Sequence, residues 1–104
     1  MIEDKNPRND EGWTPLHDAV THGHFEICKL ITQNVFEKNP SADNGKTPLH
    51  FAAQQGSMKI FKLFFENEPL LLKNPGDNNE WTPFHDAAEY GHLEICKLIM
   101  GYFF

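Results

Sequence analysis

The sequence has few cysteines and no long hydrophobic run, and these absences exclude several protein classes. Two cysteines, Cys28 and Cys96, among 104 residues are too few for a disulfide scaffold. No apolar run approaches the roughly 18–20 residues of a membrane-spanning helix, so no membrane association is expected. The N-terminus, MIEDKNPRND, lacks the basic start and apolar stretch of a secretory signal. The pattern is typical of a cytoplasmic or otherwise intracellular protein, although an excised domain would share these absences.

Positive charge is also scarce, because 9 Lys and Arg residues stand against 15 Asp and Glu residues, which gives a net charge of −6. An acidic chain without a Lys/Arg-rich stripe lacks the attraction to phosphate that drives most nucleic-acid binding. The composition therefore predicts no nucleic-acid partner and favours a partner with a basic or neutral surface. The alternative, that the acidity only aids solubility, stays open.

The chain contains three copies of one pattern, and these copies decide the fold. Residues 13–31 read WTPLHDAVTHGHFEICKLI and residues 81–99 read WTPFHDAAEYGHLEICKLI, with fourteen of nineteen positions identical. The middle copy, residues 46–64, reads KTPLHFAAQQGSMKIFKLF. The threonines that open the copies, Thr14, Thr47 and Thr82, are 33 and 35 residues apart. Such self-similarity is typical of a repeat array.

A Lys-Asn-Pro triplet precedes each copy, with Lys5, Lys38 and Lys73 each nine residues before the threonine. The two extra residues of the longer period must therefore lie between Thr47 and Lys73. We assign them to the stretch FENEPLLL, residues 65–72, where the proline has no counterpart in the first copy. We interpret this stretch as an extended or irregular loop after a helix.

Each copy predicts two helices joined by a glycine turn. Thr-Pro opens the first helix, since Thr can cap it and Pro has no donor to lose there. Gly23, Gly56 and Gly91 end it, and a second helix follows. The positions predicted to form the apolar faces are Leu16, Ala19, Val20, Leu49, Ala52, Ala53, Phe84, Ala87 and Ala88 in the first helices, and Phe25, Ile27, Cys28, Leu30, Ile31, Met58, Ile60, Phe61, Leu63, Phe64, Leu93, Ile95, Cys96, Leu98 and Ile99 in the second. One unit cannot cover its own apolar face, so the units must stack.

The motif Thr-Pro-Leu-His-x-Ala, followed by Gly-His and Glu-Ile-Cys-Lys-Leu-Ile at a period near 33, resembles the ankyrin repeat. The resemblance implies an all-α ankyrin-repeat solenoid of three helix-turn-helix units with short loop or β-turn fingers. It implies one domain over residues 1–104, with repeats at about 9–41, 42–76 and 77–104 and residues 1–8 as the tail of a preceding unit. Glu80 stands where the earlier repeats have Gly12 and Gly45, which predicts altered turn geometry, and Ser57 replaces the histidine of Gly-His.

The candidate catalytic and metal-binding residues are expected to have structural roles. The resemblance implies that His17, His50 and His85 form hydrogen bonds within and between repeats. The pairs His24–Cys28 and His92–Cys96 each place two side chains on one helix face, but a structural zinc site needs four ligands. We expect the cysteines to act as small buried hydrophobes. A disulfide is not expected, because two repeat spacings, roughly 16–20 Å, separate them.

No catalytic motif stands out, since the chain has no Gly-x-Ser-x-Gly elbow, phosphate loop or paired-carboxylate pattern. The sequence thus predicts a non-enzymatic chain with no cofactor and no metal. The resemblance implies a protein–protein interaction module that binds another protein through its loop tips and the concave face of its inner helices. The alternative is a structural spacer or scaffold segment of a longer array. The carried-over contact positions are Asp10, Glu11, Trp13, Thr21, His22, Asp43, Asn44, Lys46, Gln54, Gln55, Asn78, Asn79, Trp81, Glu89 and Tyr90.

Trp13, Trp81 and Tyr90 are the candidate anchors of the contact, because aromatic residues dominate interface hot spots. For the two tryptophans the alternative is that each ring packs over a neighbouring loop and helix. At the chain's end, Tyr102, Phe103 and Phe104 predict an uncapped apolar face. A longer array, a homo-oligomer through the uncapped terminal repeats, or a tail folded over its own helix would each account for it.

Overall fold

The computed structural model describes residues 6–35, 37–69 and 73–103. Within these residues the chain forms six helices and no strand. The helices pair as α1 with α2, α3 with α4 and α5 with α6, and the three pairs stack in chain order. The molecule measures 42 × 27 × 25 Å, so it is elongated. The solenoid predicted from the repeats is confirmed. The helices are α1 (Pro15–Thr21), α2 (Phe25–Thr32), α3 (Pro48–Gln55), α4 (Met58–Asn67), α5 (Pro83–Glu89) and α6 (Leu93–Phe103).

Each inner helix (α1, α3 and α5) begins with the Thr-Pro-x-His segment that the repeat predicts. In α3 the backbone N–H of Thr47 donates to His50 Nδ1 at 3.1 Å, and the Thr47 hydroxyl accepts from the His50 N–H at 3.4 Å. This reciprocal pair is a capping box in which histidine takes the place of the usual Glu or Gln. The cap satisfies donors that a helix of seven or eight residues leaves free at its start.

The apolar faces predicted from the sequence form one continuous core between the helical pairs. Each buried Val, Leu, Ile or Phe side chain in it stabilises the fold by about 1.5–3 kcal/mol. Four predicted core residues, Ala88, Ile27, Leu30 and Leu93, are instead exposed. They lie on the outward sides of the first and third units, where no described unit packs against them. The faces were predicted correctly, but the ends of the stack leave parts of them uncovered.

The lysine of each described Lys-Asn-Pro triplet caps an outer helix. Lys38 Nζ donates to the carbonyl oxygen of Thr32 at the end of α2, and Lys73 Nζ donates to that of Phe65 near the end of α4. The final carbonyls of a helix lack partners and carry partial negative charge, so an ammonium group there is favourable. Lys5 lies outside the described residues.

The asparagine of the triplet connects the outer helix of one unit to the inner helix of the next. Asn39 Oδ1 accepts from the N–H of Leu49 at 3.0 Å, and Asn74 Oδ1 accepts from the N–H of Phe84 at 3.2 Å. Both donors lie in the first turn of an inner helix, where the helix itself supplies no acceptor. The triplet therefore fixes the junction between successive units.

The loop predicted for residues 65–72 is wrong over its first three residues. Helix α4 continues to Asn67, and the Phe65 side chain is buried in the core. Helix α4 has ten residues and α2 has eight, so a longer helix matches the longer second period. Backbone becomes extended at Glu68. Residues 70–72 lie outside the described part of the chain.

The prediction of altered turn geometry at Glu80 is also wrong. Glu80 adopts a φ of 62°, close to the 76° of Gly12 and the 84° of Gly45. The glycines have a steric reason as well, because a Cβ on Gly45 would lie 2.6 Å from the backbone nitrogen of Asn78 in the next loop. No described loop follows the third one, so the Glu80 side chain has room. The left-handed turn is retained at the cost of local backbone strain.

Candidate functional site

Three loop tips project from the stack, and hydrogen bonds join them into one row, which we call the loop ridge (residues 9–13, 42–46 and 77–81). The N–H of Asp43 donates to Glu11 O at 3.0 Å, and the N–H of Asn78 donates to Asn44 O at 3.0 Å. The side-chain amide of Asn78 adds a bond to Asp43 O at 2.9 Å. Bonds between loop backbones hold the ridge as a row, and the exposed side chains project from a fixed frame.

Within each tip a polar side chain closes the turn. Asn9 Oδ1 accepts from the N–H of Trp13 at 2.9 Å, and Asp77 Oδ1 accepts from the N–H of Trp81 at 2.9 Å. Short Asn and Asp side chains commonly stabilise turns in this way. The two residues are equivalent in the first and third repeats, so both tips are closed by the same hydrogen bond.

His17 and His50 link the ridge to the inner helices, as the resemblance implied, whereas the His85 ring makes hydrogen bonds only to Thr82 among the described residues. His17 Nε2 contacts Lys46 O at 3.1 Å, and His50 Nε2 contacts Trp81 O at 2.8 Å. Because Nδ1 of His17 accepts from the N–H of Thr14, its proton must lie on Nε2, which therefore donates to the carbonyl. Burial lowers the pKa of both His17 and His50. Each buried imidazole is neutral and fastens one repeat to the next.

The two candidate tryptophan anchors lie in different surroundings. Trp13 is half-buried, with its ring centroid 4.9 Å from that of Phe51 in the next repeat. Trp81 is 37% exposed and packs on His85 at 4.5 Å. Its indole N–H donates to Asp86 Oδ1 at 3.1 Å. The packing alternative therefore describes Trp13 well, whereas Trp81 keeps a large accessible face.

The other predicted contact residues lie at the ends of the inner helices, where the resemblance implies the concave face. Tyr90 is 55% exposed, and its ring lies parallel to that of His92 with the centroids 6.5 Å apart. Thr21 and Gln54 are half-buried, and Gln54 donates to Asp86 Oδ1 at 3.3 Å. The predicted contact residues that are exposed are Asp10, Glu11, His22, Asp43, Asn44, Gln55, Asn78, Asn79, Trp81, Glu89 and Tyr90.

Comparison with protein families agrees with this geometry. A family model described as ankyrin repeats (3 copies) matches residues 31–103, and a model described as ankyrin repeat matches residues 11–42. The chain belongs to the ankyrin repeat family. Ankyrin repeats are generally non-enzymatic protein–protein interaction modules. No curated protein matches the chain.

One polar cluster of this ankyrin domain was not anticipated from the sequence. Lys46 Nζ lies 3.0 Å from Asp77 Oδ2 and 4.0 Å from Asp86 Oδ1. Burial raises the pKa of Asp86. Burial acts the same way on Asp77, but the bonds from Lys46 and from the N–H groups of Trp81 and Asn79 prevail and lower its pKa to about 2. Lys46 therefore neutralises acids of the third repeat.

The sequence did carry a signal for this cluster. Lys46 occupies the position at which the other repeats have Trp13 and Trp81, and Phe51 occupies that of Asp86. The first junction of the ankyrin stack thus pairs Trp13 with Phe51, and the second pairs Lys46 with Asp86. The alternation is visible in the sequence when residues that face each other across a junction are paired, and it is hidden when only equivalent positions of the repeats are aligned.

The residues weighed as metal ligands have other contacts in the ankyrin domain. His92 Nε2 donates to Gln54 O at 2.8 Å, across the junction between the second and third repeats. Cys28 is fully buried, and burial raises the pKa of its thiol to about 11, while Cys96 is half-buried. Both cysteines are free thiols. Among the described residues, no group of three or more His, Cys, Asp or Glu side chains could hold a metal ion.

A helix that crosses a bilayer needs about 20 consecutive, predominantly apolar residues. None of the helices in the described ranges is long and apolar enough to cross a membrane.

Proposed function

We propose that this chain is a non-enzymatic protein-binding module whose partner contacts the loop ridge and the adjoining concave ends of the inner helices. The observation that carries the proposal is that framework positions keep their chemistry from repeat to repeat, whereas exposed positions at the ends of the inner helices do not. Equivalent framework residues make the same hydrogen bonds in successive repeats, as His17 and His50 do. Equivalent residues at the concave helix ends differ in chemistry, as His22, Gln55 and Tyr90 do, and all three are exposed.

Tyr90 and Trp81 are the anchors that this proposal favours. Both rings are accessible, and each lies beside a neighbouring imidazole, His92 for Tyr90 and His85 for Trp81. A large aromatic side chain that is already ordered loses little conformational entropy on binding. Trp13 contributes less in this proposal, because Phe51 covers part of its ring.

The charge of the surface supports a partner with a basic or neutral face. Exposed carboxylates lie along the ridge and beside it, whereas the ridge lysine, Lys46, is paired with Asp77. Opposite charge accelerates association and fixes orientation more than it raises affinity. The exposed acidic residues of this surface are Asp10, Glu11, Asp43, Glu80 and Glu89.

The absence of turnover in the proposal rests on the state of the buried imidazoles. In His17 and His50 one ring nitrogen accepts a backbone N–H and the other donates to a carbonyl. A general base needs a free ring nitrogen within reach of a substrate proton, and these two histidines offer none. The intracellular location stays a prediction.

Photocrosslinking tests the proposed surface directly. A benzophenone amino acid replaces Tyr90 in one variant and Glu66, an exposed residue of α4, in a matched control. The proposal expects a crosslinked protein from position 90 in cell extract and none of the same mass from position 66. Equal crosslinking from both positions, or none from position 90, would contradict it. The spacer alternative, favoured by the exposed apolar residues at both ends of the stack, predicts the second of these results.

A further inference from the structure

The outer side of the third repeat exposes positions that the first two repeats bury. Val20 and Ala53 are fully buried, but their equivalent Ala88 is exposed. Phe25 lies under Lys59 of the second repeat, with 4.2 Å between Nζ and the ring centroid, whereas its equivalent Leu93 is 62% exposed. We call the surface formed by His85, Ala88 and Leu93 the forward face. It is the surface with which each earlier repeat contacts the next.

The first repeat exposes the complementary half of the same junction. Ile27 is 47% exposed, whereas its equivalents Ile60 and Ile95 are 3% and 1% exposed because a preceding repeat covers them. Leu30 is likewise exposed where Leu63 is half-buried. We call the surface formed by His24, Ile27 and Leu30 the rear face. The two ends of the described stack therefore expose the two halves of the interface that joins successive repeats.

We propose that this chain self-associates head to tail, with the rear face of one copy packed on the forward face of another as successive repeats pack within the chain. The inference goes beyond partner binding and does not depend on it, since it concerns the ends of the stack.

An empty position for a histidine ring supports a second copy as the occupant. Within the chain, the His92 ring covers Gly56 so closely that a Cβ there would lie 2.3 Å from the imidazole. His92 also donates to the carbonyl of Gln54. A Cβ on Gly91, the equivalent of Gly56, would meet no atom within 4 Å, and His24, the equivalent of His92, is exposed. Head-to-tail packing places His24 of one copy over Gly91 of another.

An unfilled hydrogen-bonding pair extends the histidine row across the same junction. Among the described residues, His85 Nε2 has no acceptor, although His17 and His50 each donate to the next loop. The carbonyl oxygens of Lys46 and Trp81 each accept both a histidine and a loop N–H, whereas Trp13 O accepts only the N–H of Asn9 in the described chain. His85 of one copy and Trp13 O of another are the missing partners.

The junction between two copies would lack one contact that the first junction within the chain has. Where Phe51 packs on Trp13, the rear face of a second copy would bring Asp18 towards Trp81. We therefore expect association weaker than the packing within the chain. Because the two faces differ, the contact is heterologous, and it builds open chains of copies rather than closed dimers.

Sedimentation velocity over a wide range of protein concentration tests the proposal, with two end variants designed to keep the fold. Ile27→Lys blocks only the rear face and Ala88→Lys blocks only the forward face, and both residues are exposed. The wild type is expected to form a series of species that grow with concentration, and each variant alone is expected to remain monomeric. An equimolar mixture of the two should form a dimer and nothing larger, because one intact face of each kind remains.

The mixture separates head-to-tail packing from other arrangements. Glu66→Lys, which adds a lysine on the exposed side of α4, is the matched control and should assemble like the wild type. A wild type that stays monomeric at every concentration would overturn the proposal. So would a mixture that stays monomeric, or an end variant that still assembles by itself through a symmetric contact. Circular dichroism of each variant checks that its helices are intact.

Discussion

The imidazole Nε2 of His17 lies 3.1 Å from the carbonyl oxygen of Lys46, 29 residues further along the chain. This bond joins the inner helix of the first repeat to the loop of the second. Because Nδ1 of the same ring accepts the N–H of Thr14 at 2.9 Å, the bond is made by a neutral imidazole. Stacking and protonation are therefore coupled at this residue.

We predict that acid destabilises the stack through His17. Burial holds its pKa below the ordinary value of 6.5, so the unfolded chain binds a proton more readily than the folded one. Its contribution to stability is present above pH 6.5 and is lost as the pH falls towards the folded-state pKa, at up to about 1.4 kcal/mol per pH unit. Urea unfolding at several pH values should show a steeper loss for the wild type than for His17→Gln. Parallel curves would contradict this coupling.

Ala53 and Ala88 are equivalent residues with opposite burial, and they provide a matched test of the repeat packing. Ala53→Asp should lower the free energy of unfolding by about 3 kcal/mol or more, because it places an unpaired charge between α1, α3 and α5. Ala88→Asp, on the exposed forward face, should change it by less than about 0.5 kcal/mol. Chemical denaturation measures both. Equal effects would show that the junction assignment is wrong.

Glu80 and Gly45 provide a reciprocal test of the loop ridge. Glu80→Gly should stabilise the chain by about 1 kcal/mol, because glycine adopts a φ of 62° without strain. Gly45→Ala should destabilise it, because the new Cβ would meet the backbone of Asn78. Thermal unfolding should shift upwards for the first variant and downwards for the second. Shifts of the same sign would contradict the shared turn geometry.

The buried Lys73 is predicted to stabilise the end of α4. Its ammonium group donates to the Phe65 carbonyl and lies 4.6 Å from the Phe65 ring centroid and 4.9 Å from that of Tyr102. Lys73→Met should cost about 1–3 kcal/mol, since it leaves a buried carbonyl without its charged donor. Lys62→Met, at an exposed position of the same helix, should be nearly neutral. Hydrogen exchange in α4 should accelerate only in the Lys73 variant.

Much of the fold could be predicted because equivalent positions of the three repeats carry similar residue types. Thr47, Pro48 and Gly56 mark the start and end of a helix by local rules, and these rules held in each unit. The histidine row followed from the family resemblance. What could not be predicted depends on neighbouring units. The exposure of Ile27 and Ala88, for example, is decided by whether another unit covers them, and no local pattern reports that.

The proposed contact surface was predictable only in outline. The tips and concave helix ends were located by register, but Trp13 and Trp81 have the same local sequence and different surroundings. Phe51, which covers Trp13, comes from another repeat. Lys46 likewise occupies a tip position in the sequence, and only the stacking of the repeats brings Asp77 and Asp86 against it. The role of a side chain at a junction can be predicted only when the residues on both sides of the junction are known.

The most direct test of the proposed surface is the affinity of the Tyr90→Gln variant for a partner identified by the crosslinking, because glutamine is the residue that the middle repeat carries at the equivalent position, Gln55. Calorimetry should show at least about tenfold weaker binding than for the wild type, the loss of a hot-spot side chain, with an unchanged melting temperature. Glu66→Gln should bind like the wild type. Undiminished binding by the Tyr90 variant, or weaker binding that merely follows a lower melting temperature, would contradict the proposed surface.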